Sequence, residues 1–379
     1  MTRPGAGAAG RNVAVHQVLP SLHVADASGS HTLHARDALR AAGWRSELFV
    51  EHVDDELAGE AHPIGELDEF VEPGRTVLLY QLAVGSSVVD SLMRRSEPLV
   101  VNYHNLTPAS FFWPWAPDWL HAVQSGRDQL HRLAHRVVHA VAVSEFNRRD
   151  LLGAGYRSTS VVSPFVGTPA PSSPEDVRSR RASMGVGPKG GRWLFVGKLL
   201  PHKAAHDVVK AFAAYRHAYD PDASLVLVGG HPVPSYSEAV AGYARALGVA
   251  HAVELAGSVS AEQLADAYAS AEVFVCLSDH EGFCFPLLEA MRHGLPVVAF
   301  AAGAVADTVG DAGLVLDGKA PARVAAAVHR VVSDPVLRER LVTAGFRRLS
   351  VFDLERTKTR FVDALLTGVG DKWPVNGAT

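Results

Sequence analysis

The stretch Asp279-His-Glu-Gly-Phe-Cys-Phe-Pro-Leu-Leu-Glu-Ala-Met291 gathers more chemically capable side chains than any other in the chain. It follows directly on Val273–Leu277, an apolar run that reads as a buried strand. Gly282 permits a tight turn, and Pro286 suits the first turn of a helix. The amides of Phe283, Cys284 and Phe285 then lie near a helix N-terminus, where anionic or hydroxylated groups bind. Glu281 stands in the loop and Glu289 closes the first helical turn. A glutamate near a helix N-terminus is stabilising in its own right. Two of them flanking one strand–loop–helix junction are harder to explain in that way.

Other strings invite chemistry and are better read otherwise. Gly5-Ala-Gly-Ala-Ala-Gly10 matches the dinucleotide fingerprint literally, yet it precedes the first strand instead of following one. Asp220-Pro-Asp222 has the spacing of a metal-bridging carboxylate pair, but it falls on the amino side of a strand, in a helix-to-strand turn. His131, His135 and His139 would stack on one helical face, except that Val138–Val143 reads as a strand and no acidic partner accompanies them. Cys276 and Cys284 read as buried small hydrophobes. The aromatic run Phe111–Trp119 suits an acceptor platform, a membrane-facing lip or a loop tucked under its domain.

The elements that must position these residues alternate in type. Val13–Leu19, Ser46–Val50, Val77–Leu82, Leu99–Tyr103 and Val138–Val143 read as strands, with helices over Ser30–Ala42 and about Ser86–Met93. The alternation breaks at a Pro- and Gly-rich stretch, 169–191. It restarts with strands at Trp193–Val196, Leu225–Val228, Val253–Leu255, Val273–Leu277 and Pro296–Phe300. Helices are expected at Ala205–Ala218, Ser237–Leu247, Glu262–Ser270, Pro286–Arg292 and Pro321–Val332, with a final amphipathic one at Leu354–Leu366. Strands separated by helices imply parallel sheets, whose ligands bind at the strands' carboxyl ends.

Composition narrows the classes further. The 379 residues are 47% hydrophobic and 20% charged, ordinary for a globular chain of two domains. A net charge of −4 argues against a general nucleic-acid binder, which needs a basic face. Two cysteines exclude a disulfide framework and point to a reducing compartment. No signal-like segment or spanning apolar run is visible, so a cytoplasmic protein is expected, with peripheral membrane contact left open.

Glu281-Gly-Phe, Pro286 and Glu289-Ala together resemble the E-x7-E signature of retaining, nucleotide-sugar-dependent glycosyltransferases of the GT-B fold, family four. Val196-Gly-Lys-Leu-Leu-Pro-His-Lys203 resembles that family's strand-end segment G-R-L-x-x-x-K-G, with Lys198 in place of arginine and Ala204 in place of glycine. Val226-Leu-Val-Gly-Gly230, Leu255-Ala-Gly-Ser-Val-Ser260, and Gly294-Leu-Pro-Val-Val298 with Gly303 follow in the family's order and spacing. The first half matches more loosely. Asp26-Ala-Ser-Gly-Ser30 resembles the family's glycine-bearing phosphate loop, with one glycine where many relatives have two. Asn102-Tyr-His-Asn-Leu-Thr107 resembles a subgroup with a histidine facing the donor sugar, and Ala142-Val-Ser-Glu145 a strand-end serine segment.

The resemblance implies two Rossmann-like domains facing a cleft. The first would be an acceptor domain at 1–168, followed by the linker 169–191 and a donor domain at 192–350, with 351–379 crossing back. It implies transfer of a hexose from a UDP- or GDP-sugar to an alcohol acceptor, with retention, no permanently bound cofactor and no metal. Lys203 and Lys198 would neutralise the leaving phosphate. Glu281 would hold sugar hydroxyls, Glu289 the ribose, and His104 the sugar near its anomeric end. Gly29, Ser30, Gly197, Gly229, Val259, Ser260, Gly282, Phe283 and Cys284 complete the expected donor site. Asn105, Trp113 and Trp115 are the acceptor-side candidates. The rival readings are an epimerase or cyclitol transferase of the same fold, and a catalytically silent nucleotide-sugar-binding subunit. A dehydrogenase is disfavoured because no glycine fingerprint follows a strand.

Overall fold

A computed structural model describes residues 13–24, 27–165, 175 and 191–373. The literal fingerprint Gly5–Gly10, Asp26 and nearly all of the stretch 169–191 lie outside these residues.

The chain divides into two compact units, the first comprising 1–109, 118–168 and 352–379. Its seven strands are β1 (Ala14–Leu22), β2 (Leu48–Val53), β3 (His62–Pro63), β4 (Thr76–Leu82), β5 (Leu99–Tyr103), β6 (His139–Ala142) and β7 (Thr159–Val161). They form one sheet in the order β3-β2-β1-β4-β5-β6-β7. Every pairing is parallel, with Val15 beside Val77 and Leu79 beside Val100. β4 and β5 are buried along their whole length, as strands covered on both faces must be. The C-terminal helix Leu354–Val369 belongs to this unit, packing Phe361 and Leu365 against Val15, Val100 and Val141.

The second unit holds β8 (Arg192–Val196), β9 (Ser224–Val228), β10 (Val253–Gly257), β11 (Val273–Cys276), β12 (Val297–Phe300) and β13 (Gly313–Leu316). Its order is β10-β9-β8-β11-β12-β13, again all parallel. Trp193, Phe212 and Tyr215 lie in its core with Val275 and Val298. Residues 110–117, assigned by sequence to the first domain, cluster with this unit instead. Trp115 meets Tyr236 edge-on at 5.2 Å, and Ser235 Oγ donates to the Trp115 carbonyl at 3.0 Å. Chain order alone could not reveal that attachment.

Several elements extend past or escape the sequence expectation. The first helix begins at Ala27, and the helix expected from Ser237 begins at Pro234, whose ring suits a first turn. Helices Glu145–Gly153 and Pro335–Leu349 were not anticipated, nor were the short edge strands β3, β7 and β13. The histidine stripe dissolves. The helix carrying His131 ends at Leu133, and His139 sits in β6 between Ser158 Oγ and Ser160 Oγ, at 2.8 and 2.9 Å. Asp220 is used in its turn, accepting from the Gly191 amide at 2.7 Å and the Asp222 amide at 3.0 Å.

Candidate active site

In an open parallel sheet the ligand crevice lies where the strand order reverses, beyond the carboxyl ends. In the second unit that point falls between β8 and β11. The loop after β8 carries Gly197, Lys198 and a short turn Pro201–Lys203. The loop after β11 carries Glu281, Gly282 and Phe283, then enters helix Phe285–Arg292. The Asp279 amide donates to the His202 carbonyl at 2.7 Å, tying the two loops together.

Across this junction Lys203 Nζ lies 2.8 Å from both Glu281 oxygens. The Glu281 side chain is only 5% exposed and Lys203 23%. Burial by itself pulls the Lys203 ammonium down, but Glu281 together with Cys284 and Cys276 more than reverses this, and the net shift is upward. The backbone of Glu281 is pinned as well. Its carbonyl accepts from the Ala304 amide at 2.9 Å, and a Cβ at Gly303 would come within 2.2 Å of that oxygen.

Glu289 lies in helix Phe285–Arg292 and accepts a hydrogen bond from Tyr268 Oη at 2.7 Å. Burial raises its carboxyl above the ordinary value, while the tyrosine and Arg292 pull the other way. Burial and the neighbouring Glu289 push the Tyr268 phenol far up. Gly229 follows β9 at φ 144°, and a Cβ there would meet the Gly197 carbonyl at 2.1 Å. The two glycines are therefore in backbone contact. Lys198 is exposed beside them. Val259 is half-buried, and Ser260 opens helix Ala261–Ser270 with a capping box. Its hydroxyl accepts from the Gln263 amide at 3.2 Å and its own amide donates to Gln263 Oε1 at 2.9 Å, so both groups already serve the cap.

Three residues other than glycine take the left-handed backbone region: Ala204 (φ 49°), Cys284 (φ 72°) and Asn105 (φ 100°). Each adjoins or lies within a few residues of a sequence candidate: Lys203, Glu281 or His104. Such backbone costs roughly 1–3 kcal/mol and persists only where surrounding structure enforces it.

The first unit's switch point lies between β1 and β4. Gly29 and Ser30 occupy the first turns of helix Ala27–Ala41, where a Cβ at Gly29 would meet the His23 carbonyl at 3.0 Å. His104 follows β5, and its Nε2 lies 2.7 Å from Gln81 Oε1. Asn102 Nδ2 donates to the same oxygen at 2.8 Å, and Gln81 Nε2 donates to Gln17 Oε1 at 2.7 Å. Gln17 in turn donates to the Thr32 carbonyl at 3.2 Å. That carbonyl can only accept, so it orients each amide in turn and calls for a proton on His104 Nε2. His31 packs edge-on against His104 at 4.9 Å. Burial, then His104 and His34, hold His31 well below its ordinary pKa. Trp113 is 72% exposed, whereas the Trp115 ring is engaged by Tyr236.

Sequence reading missed Tyr268, Gln81, His31 and Lys319. Lys319 Nζ lies 2.5 Å from both Asp207 Oδ2 and Asp279 Oδ1, clamping the base of the β11 loop. No local spacing marks these residues, because each partner is remote in the chain.

Two parallel-sheet units of six and seven strands, with candidate residues at both switch points, define a GT-B protein. Residues 178–348 match the family model described as group 1 glycosyl transferases. The chain is 35% identical over 248 residues to the D-inositol 3-phosphate glycosyltransferase of Geodermatophilus obscurus, covering 63% of this chain and 54% of that protein. The match thus spans about half the length of that relative, and 48% of the equally named protein of Acidothermus cellulolyticus. In fold it is similar to the Anabaena protein HepE solved with UDP-glucose, at TM-score 0.72 and 19% identity over 93% of this chain and 99% of that one. It is also similar to sucrose-phosphate synthase from Thermosynechococcus elongatus, at TM-score 0.71 and 17% identity over 93% and 98%. Among the described residues no helix is long and apolar enough to cross a membrane.

Proposed function

We propose that this chain is a glycosyltransferase that moves a hexose from a UDP- or GDP-sugar to an alcohol acceptor, with retention and without a metal. The observation carrying the reading is the Lys203–Glu281 pair at the β8/β11 switch point, with Glu289 held nearby in sequence by Tyr268. Breaking a sugar–diphosphate bond builds negative charge on the leaving phosphate. Lys203, with Lys198, supplies fixed positive charge there. The amides of Gly29, Ser30, Phe283 and Cys284, and the glycine contact Gly197–Gly229, let backbone approach the phosphates. Glu281 accepts from sugar hydroxyls and Glu289 from the ribose, both as ionised acceptors and not as an acid/base pair. His104 binds the sugar near its anomeric carbon. The acceptor attacks from the face the phosphate leaves, and the departing phosphate takes the acceptor's proton. Val259 and Ser260 line the base side, and Asn105, Trp113 and Trp115 the acceptor side.

The relatives' names favour a cyclitol phosphate among alcohol acceptors, since they are D-inositol 3-phosphate glycosyltransferases. The test is a thermal-shift panel of UDP, GDP and their hexoses, with and without EDTA, followed by turnover on inositol 3-phosphate. A ligand that binds only the native state raises its melting temperature. A shift with one nucleotide class, indifferent to EDTA, and sugar transfer to the cyclitol are expected. A shift with no nucleotide, or only with added metal, overturns the donor site. Binding without turnover on any alcohol leaves the silent-subunit reading in its place.

A further inference from the structure

We propose that Cys276, Cys284 and Glu281 form a binding site for a thiophilic divalent metal ion, zinc above all, and that this ion and the sugar donor exclude one another. The ligand atoms of the three residues lie within 4.8 Å of one another, and all three are buried. Cys276 Sγ and Cys284 Sγ are 3.8 Å apart. Two thiolates on a tetrahedral zinc, each about 2.3 Å from it, are separated by about 3.8 Å. The sulfurs thus already stand at ligand spacing. β11 fixes Cys276, and the left-handed turn before helix Phe285–Arg292 fixes Cys284. The carboxylate of Glu281 is the third ligand, and solvent takes the fourth position.

Charge balance supports the site. Before binding, two neutral thiols accompany the Lys203–Glu281 pair, and the net charge is zero. On binding, two sulfur–metal bonds form, two S–H protons leave to solvent, and no electron is transferred. Two thiolates and a carboxylate around a divalent ion carry one net negative charge, which the Lys203 ammonium neutralises in place. The buried site therefore never holds an uncompensated charge.

The exclusion rests on the donor role given to Glu281 above; the metal site does not. Cobalt(II) titration of the purified chain tests the site without any activity assay. A thiolate-to-cobalt charge-transfer band saturating at one ion per chain is expected, with release of about two protons per ion. Cys276→Ala and Cys284→Gly should each abolish it, and glycine suits the positive φ at 284, so folding is preserved. No band, or an undiminished band in Cys276→Ala, overturns the site. Zinc should weaken nucleotide-sugar binding about tenfold or more in the parent chain, reversibly with EDTA. In Cys276→Ala, whose donor affinity should match the parent's, zinc should have no effect. A cobalt band with donor affinity unmoved by zinc overturns the exclusion and leaves the metal site standing. Failure of the donor to bind in metal-free buffer is the separate mark against the functional reading.

Discussion

The two units solve one topological problem with different chemistry. Both present their candidate residues where a parallel sheet reverses its strand order. The second unit places a charge pair there, Lys203 with Glu281, and a carboxylate restrained by Tyr268. The first unit places a neutral web, in which Gln17, Gln81 and Asn102 hand hydrogen bonds along to His104. Charge matters where a ligand brings phosphates. Orientation matters where it brings hydroxyls, and a web anchored on a backbone carbonyl supplies orientation without charge. The contrast teaches that substitutions in the second unit should act through electrostatics and those in the first through geometry.

The largest effect is expected from Lys203→Ala. On the proposed mechanism this removes a cation aimed at the leaving phosphate and should lower kcat by roughly 10²–10³-fold. It also leaves the nearly inaccessible Glu281 carboxylate without its partner, costing about 3 kcal/mol of stability. Urea unfolding and steady-state kinetics together check this, and a loss in neither would refute the electrostatic account. Next comes Gln81→Leu, which removes the acceptor facing His104 Nε2 without touching any charge. A fall in kcat of about tenfold is expected, with nucleotide affinity unchanged. The ring's nitrogen chemical shifts should report a mixture of tautomers. A single unchanged tautomer would show that the web does not set the histidine.

Glu289→Gln should separate stability from binding. The carboxyl titrates above its ordinary value in the folded chain, so the folded state binds more protons than the unfolded one between the two values. Stability therefore falls as pH rises through that window and stays lower at neutral pH. Glutamine removes the penalty and can still accept from Tyr268. The variant should melt higher at neutral pH, lose that pH dependence, and bind nucleotide about tenfold more weakly. A lower melting temperature would mean that the carboxylate is stabilising, contrary to the sign of its shift.

Much of this was legible before the fold was known. Strands β4, β5, β8 and β11 announced themselves as predominantly apolar runs, because strands buried on both faces tolerate a polar residue only where it is hydrogen-bonded, as Gln81 and Asn102 are. Glu281 and Glu289 stood out because one strand–loop–helix junction carries both. What stayed hidden was pairing at a distance. Lys203 and Glu281 are 78 residues apart, Tyr268 and Glu289 are 21, and Gln17 and Gln81 are 64. The attachment of 110–117 to the second unit was hidden for the same reason. Helix Pro335–Leu349 escaped because its arginines interrupt a sparse apolar stripe, and β3, β7 and β13 because two to four residues carry no period.

The smallest effect is expected at Ala204, where the sequence departs from the glycine usual in the family it resembles. Its φ of 49° and ψ of 42° are left-handed, a conformation costing an alanine about 1–2 kcal/mol. Ala204→Gly removes that strain. It also gives up a fully buried methyl and loosens the unfolded chain, which together cost about the same. Folding stability should therefore move by less than about 1 kcal/mol. The residue adjoins Lys203, so a rise in kcat at unchanged stability would show that the strained turn holds the lysine short of its working position. A destabilisation well above that bound would show that the methyl's packing, and not the backbone, governs this turn.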